Sequence, residues 1–425
     1  MKITDFKAAA WQVIMKVSPL AHRVLPAGFR RKLGAAARLA VTKDMLPVPA
    51  PYTPGRYPAG YNLFGLFKAE MGLAQGAKLY ADALEAGGIP HTLLNLEFLN
   101  SRMPQNDTAY DARLQNEAKY AVNLVHINPD EWTIACYPFG KQAFDGHYNI
   151  GVWLWELETV PRTWLPVLKY VDEIWAPSEF IARALRKETE KPVTVIPYGI
   201  SVPWDETVTR TELGLPEDAF LVLTMFDSNS YSSRKNPAAA VEAFARAFGV
   251  GESNAHLVIK VNHPSPEDLA FFEKTLGKDG RYTLITERMD KKRLNAMIRL
   301  CDVFISLHRS EGFGLVMAEA MALRTAVVST NWSANVEFMP PEAACMVDYT
   351  LVPVGDQYQR GEGIQNRWAD ADTDQAAEYL RRLHDDPAYR RQKTDAGYRY
   401  ISQHLTPARS AEKMRRRLSE ILEQK

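Results

Sequence analysis

Cysteine is scarce in this chain. Its three residues, Cys136, Cys301 and Cys345, lie far apart, with no CxxC pair and no histidine cluster at metal spacing. That excludes a disulfide framework or a structural zinc site and points to reduced thiols. Net charge is also missing: 51 Lys and Arg balance 51 Asp and Glu, so bulk charge offers no reason to bind nucleic acid. No apolar run approaches the ~18–20 residues needed to span a bilayer. A signal-peptide pattern is absent too, since Lys7, Lys16 and a later basic cluster interrupt the apolar stretches, and the expected location is the cytoplasm. What is present is ordinary globular composition, 46% apolar and 24% charged over 425 residues, enough for two domains with full cores.

The balanced charge is unevenly spread. Residues 1–50 hold nine Lys or Arg (Lys2, Lys7, Lys16, Arg23, Arg30, Arg31, Lys32, Arg38 and Lys43) against Asp5 and Asp44. Phe6, Trp11, Val13, Ile14 and Leu20 are interleaved with them. A basic amphipathic arm over residues 1–46 suits peripheral contact with an anionic inner-membrane surface, at about 1 kcal/mol per basic residue. Packing on its own domain or on a partner subunit is the other reading. Five prolines between Pro47 and Pro58 make residues 47–58 an extended linker.

Apolar strand candidates then alternate with helical ones. YNLFGLF (61–67), HTLLNLEFL, YAVNLVHI (120–127), YNIGVWLW (148–155), DEIWAPS and VTVIPYG fill residues 59–203. FLVLTMFD (220–227), HLVIKVN, YTLITE, CDVFISL and AVVST (326–330) fill residues 204–400, with helices expected at Pro237–Phe248, Pro266–Leu276 and Lys291–Leu300. Two such series predict two doubly wound, Rossmann-like α/β domains that meet near residue 200 and face a central cleft. An amphipathic helix closes the chain over residues 401–425, with Pro407 suited to its first turn.

The most informative stretch is Cys301–Leu323, CDVFISLHRSEGFGLVMAEAMAL. An apolar strand (Val303, Phe304, Ile305) leads through a polar loop to Glu311, Gly312, Phe313 and Gly314, and a helix follows from Leu315. The first turn of a helix presents unpaired N–H groups and positive partial charge, a site for a diphosphate. Glu311 would lie in the loop and Glu319 in the second helical turn, about 7 Å above the helix start, so the two carboxylates sit at two depths. This spelling resembles the E-x7-E signature, EGFGL…EAMA, of the retaining glycosyltransferases of family 4. The blocks at 148–161, 329–339 and 367–372 resemble its bacterial polysaccharide-assembly branch. The resemblance covers residues from about 60 to 390 and implies GT-B architecture.

It further implies transfer of a sugar, with mannose from GDP-mannose one fit, from a nucleotide-diphosphate sugar to a hydroxyl of a glycan or lipid-linked glycan. No cofactor and no catalytic metal are expected. Glu311 is assigned to sugar hydroxyls and Glu319 to the ribose. Gly312, Phe313, Gly314 and Leu315 are assigned to the donor, and His126, ending a first-domain strand, to orienting the donor sugar. Gly72 closes a glycine loop (GLFKAEMG) that resembles the one near the diphosphate. Arg234 and Lys235 precede Pro237 at a helix mouth and would neutralise the leaving diphosphate. Family members usually add an arginine at the preceding strand end. Here that strand ends Phe226-Asp227, a departure that leaves two readings: Arg234 takes over as the second cation, or the second cation is absent. Lys260 and Glu156 are secondary candidates, the latter on the acceptor side. Trp153, Trp155 and Trp164 are expected to be packing residues. Asp370, Asp372 and Asp374 fit a helix cap better than a metal site. The rival readings are a degenerate transferase serving as a membrane-associated assembly subunit and, less favoured, a GT-B phosphorylase.

Overall fold

The structure is a computed structural model that describes residues 45–97, 106–249, 253–277, 280–354 and 366–424. The basic arm ascribed to residues 1–46 therefore lies outside the described residues except for Met45 and Leu46, both buried.

The expected pair of doubly wound sheets is present. In the first domain β1 (Tyr61–Gly65), β2 (His91–Asn95), β3 (Val122–His126), β4 (Tyr148–Val152), β5 (Glu173–Ala176) and β6 (Val193–Val195) run in the order β2-β1-β3-β4-β5-β6. In the second, β7 (Phe220–Asp227), β8 (Ala255–Asn262), β9 (Tyr282–Ile285), β10 (Val303–Ser306), β11 (Ala326–Thr330) and β12 (Cys345–Val347) run β12-β11-β10-β7-β8-β9. Every pairing within these sheets is parallel. Helices cover both faces, which is why β1, β3, β4 and β11 are buried at every position and read as continuous apolar runs rather than alternating ones.

Each sheet reverses direction once. In the first the chain order switches between β1 and β3, and in the second between β7 and β10. In open α/β sheets it is outside the carboxyl ends of the strands at such a point that ligands bind.

Several elements differ from the sequence expectation. The strand expected over 148–155 stops at Val152, because Trp153 and Trp155 turn into an aromatic cluster with Trp164 at centroid distances of 6.0 and 5.0 Å. Residues Arg162–Tyr170 form a 3-10 helix with Pro166 inside it, and a proline cannot donate the bond an α-helix needs there. A ribbon of β13 (Tyr349–Pro353) and β14 (Arg367–Ala371) pairs antiparallel beside the second sheet, and Thr373–Asp385 and Pro387–His404 are helical.

The final helix, Pro407–Leu422, packs on the first domain. Ala411 meets Gly87, and Tyr61 donates to the Met414 carbonyl at 2.8 Å. Arg417 holds the fully buried Glu173 through Nε at 3.0 Å and Nη2 at 2.8 Å, while Trp175, Tyr148 and Thr194 also donate to that carboxylate. No described helix is long and apolar enough to cross a membrane.

Candidate active site

The reversal of the second sheet brings two distant loops together. The one leaving β7 makes a short helix, Ser232–Lys235, and then a second helix from Pro237. The one leaving β10 carries His308 to Gly314 and enters the helix Leu315–Ala322. Across the gap Lys235 Nζ meets Glu311 Oε1, although the two are 76 residues apart in sequence. Arg234 Nη1 lies 3.2 Å from the same oxygen. Arg234 also donates to the Ser310 carbonyl at 2.9 Å and approaches Glu156 of the first domain at 3.7 Å. Two cations and two carboxylates thus converge at the topological switch point.

Their mutual charges set the electrostatics. Burial raises the Glu311 pKa, but Lys235 and Arg234 outweigh it and hold the carboxyl down at about 2. Burial lowers the Lys235 pKa, with Glu311 opposing and Arg234 adding to the fall. His308 lies fully buried beneath them. Burial, with Lys235 and Arg234 adding to it against Glu311, brings its pKa to about 4, so it is neutral at pH 7. The sequence reading assigned His308 no role.

The glycines of the loop have a reason other than ligand approach. A Cβ on Gly312 would come 2.7 Å from the Trp155 carbonyl oxygen, so the close approach there is made by the first domain's backbone. Ser178 donates to the Gly312 carbonyl at 2.7 Å, and Ser310 Oγ donates to the Glu156 carbonyl. Gly314 has φ 100°, a conformation that favours glycine. Phe313 is buried between Tyr198 and Phe338. Leu315 is half-buried at the helix start. Glu337 reaches from the second domain and accepts from the N–H groups of Glu179 and Phe180 at 2.9 and 2.8 Å, an anion placed at a first-domain helix N-terminus.

The remaining predicted residues separate into distinct settings. Glu319, 3% exposed, is held by Lys291 at 2.6 Å, and nothing in the spacing of the sequence pointed to that lysine. His126 is fully buried, with Nε2 bonded to the Tyr198 hydroxyl at 2.9 Å and its pKa lowered by burial to about 3. In this conformation it faces Tyr198. Gly72 opens the helix Gly72–Ala86, where a Cβ would meet nothing. Lys260 is buried and donates to Asn262 at 2.5 Å. Trp153, Trp155 and Trp164 are all buried. Asp370 pairs with Arg309 at 2.9 Å, Asp372 caps the helix Thr373–Asp385, and Asp374 pairs with Arg246. Among the described residues no group of three or more His, Cys, Asp or Glu is placed to hold a metal.

Comparison with known proteins bears on this arrangement. Residues 205–344 match the family model described as glycosyl transferases group 1. Sucrose-phosphate synthase from Thermosynechococcus elongatus is 18% identical, with 86% of this chain and 99% of that one covered at a TM-score of 0.61. Anabaena HepE in complex with UDP and glucose is 13% identical, covering 85% and 100% at a TM-score of 0.61. A glycosyltransferase from Rickettsia africae is 12% identical, covering 87% and 100% at a TM-score of 0.61. A comparison with curated proteins gives no match. The chain therefore has the GT-B fold, and its second domain matches the group 1 glycosyl transferases across the loops that hold Arg234, Lys235, Glu311 and Glu319.

Proposed function

We propose that this protein is a glycosyltransferase that moves a sugar from a nucleotide-diphosphate sugar to a hydroxyl of a glycan or lipid-linked glycan. The observation that carries the reading is the convergence of Arg234 and Lys235 on Glu311 at the second sheet's switch point. The match of residues 205–344 to the group 1 glycosyl transferases supports it, as does a neighbour of the same fold bound to UDP and glucose. Within the resemblance to family 4 and its polysaccharide branch, the anomeric configuration is retained and no metal takes part, with mannose the sugar that fits.

In the proposed reaction the acceptor oxygen bonds to the anomeric carbon on the face from which the diphosphate departs. The bond from that carbon to the β-phosphate oxygen breaks, and the diphosphate leaves with the electron pair and receives the acceptor proton. Lys235, Arg234 and the helix N-terminus at Leu315 stabilise the charge that develops. Glu311 accepts from sugar hydroxyls and Glu319 from the ribose. His126 orients the sugar once its bond to Tyr198 opens. Gly72, across the cleft, leaves room beside the diphosphate.

The test is calorimetric binding of GDP, UDP, ADP and TDP to the wild type, Lys235→Ala and Glu319→Ala. One nucleotide should bind clearly best, and each variant should bind it at least ~10-fold more weakly, about 1.4 kcal/mol. Folded wild type that binds none of the four would overturn the proposal.

A further inference from the structure

The turn that carries the two cations is bracketed by unfavourable backbone. Tyr231 has φ 65° and ψ 101°, and Asn236 has φ 52° and ψ 50°. Non-glycine residues at positive φ persist only where their surroundings over-determine them. One carboxylate supplies much of that constraint from a neighbouring element. Asp268 accepts from Ser228 Oγ at 2.6 Å and from Ser232 Oγ at 2.9 Å, one serine on each side of Tyr231.

Asp268 already has another task. It is the third residue of the helix Pro266–Leu276 and closes a capping box with Ser265, accepting from Ser265 N at 3.1 Å and Oγ at 2.8 Å while its own N–H donates to Ser265 Oγ at 3.0 Å. That box is complete without Ser228 or Ser232, so the two serine bonds are additional. Arg309 grips the far end of the same turn. Its Nη1 donates to the Ser233 carbonyl at 2.6 Å and its N–H to the Arg234 carbonyl at 2.8 Å.

We propose that Asp268 is a positioning residue: through Ser228 and Ser232 it fixes the strained turn so that Lys235 and Arg234 converge on the diphosphate of the donor. This rests on the donor-site reading above. It extends that reading to a residue on a different helix, one that touches no substrate.

The experiment is a cycle of Ser228→Ala/Ser232→Ala with Lys235→Ala. It is read by calorimetry with whichever of GDP, UDP, ADP and TDP binds best, and Asp268→Asn is run alongside. Because the serine pair leaves the capping box whole, its melting temperature should stay within a few degrees of wild type. Its nucleotide affinity should fall about fivefold to tenfold, whereas in the Lys235→Ala background the same pair should cost clearly less, because only Arg234 is left for the turn to place. Asp268→Asn should weaken binding less than the serine pair, since its remaining oxygen still accepts. Undiminished affinity in the serine variant, or an equal loss with and without Lys235, overturns the positioning role and leaves the donor site standing. Wild type that binds no nucleotide overturns both.

Discussion

Replacing Glu311 with glutamine should tighten the binding of a nucleoside diphosphate while abolishing sugar transfer. Glu311 is the anion that Lys235 and Arg234 hold. A diphosphate must share those cations with it or displace it. Its pKa lies at about 2 against an ordinary 4.5, which corresponds to roughly 3 kcal/mol of net attraction at about 1.4 kcal/mol per pKa unit. That figure is what remains after burial has opposed the two cations, and it sets the scale of what removing the charge can return to a competing anion. Glu156 stays beside Arg234 at 3.7 Å, and water screens part of the remainder, so the expected gain is about tenfold, or ~1.4 kcal/mol. Titration of UDP or GDP into wild type and Glu311→Gln at pH 7 reads it directly, with transfer assayed on the same preparations. A pH arm checks the sign. The depressed carboxyl contributes stability above pH 4.5 and loses it as pH falls toward 2. Urea midpoints of Glu311→Gln should therefore fall less steeply than those of wild type over that window. Weaker nucleotide binding in Glu311→Gln at pH 7 would refute the competition argument.

Two further outcomes test the rest of the molecule. Arg417→Met strands the buried Glu173 charge and should cost about 3 kcal/mol in urea unfolding, with much of it recovered in Arg417→Met/Glu173→Gln; no recovery in the double variant would mean the pair does not hold the last helix. Removing residues 1–44, which leaves the buried Met45 in place, should abolish co-sedimentation with anionic vesicles without altering nucleotide affinity, and unchanged sedimentation would sink the membrane role of the basic arm.

Much of the fold is a local matter. β7 occupies Phe220–Asp227, and helices cover Pro237–Phe248, Pro266–Leu276 and Lys291–Leu300, all where apolar runs and helix-starting prolines or acidic caps placed them. The E-x7-E stretch likewise forms a strand, a loop and a helix, because β-branched residues, paired glycines and a glycine-free run each favour one backbone state. The antiparallel ribbon of β13 and β14 was not legible, since its partners are joined by a long connection and neither strand has a tight-turn signal.

Local spelling could name Lys235, Glu311 and Glu319, but it carried no information on which groups face one another. That Glu311 meets Lys235 and Arg234 follows from β10 lying beside β7, a strand order set by how helices and sheets pack. That Gly312 makes room for the Trp155 carbonyl, that His126 turns to Tyr198, and that Lys291 holds Glu319 are results of the same packing. Sequence alone determined the elements and the residue types available for chemistry, because backbone preferences act over a few neighbours. Only the tertiary structure decided the pairings and pKa values, because charge and burial act through space between residues the chain holds far apart.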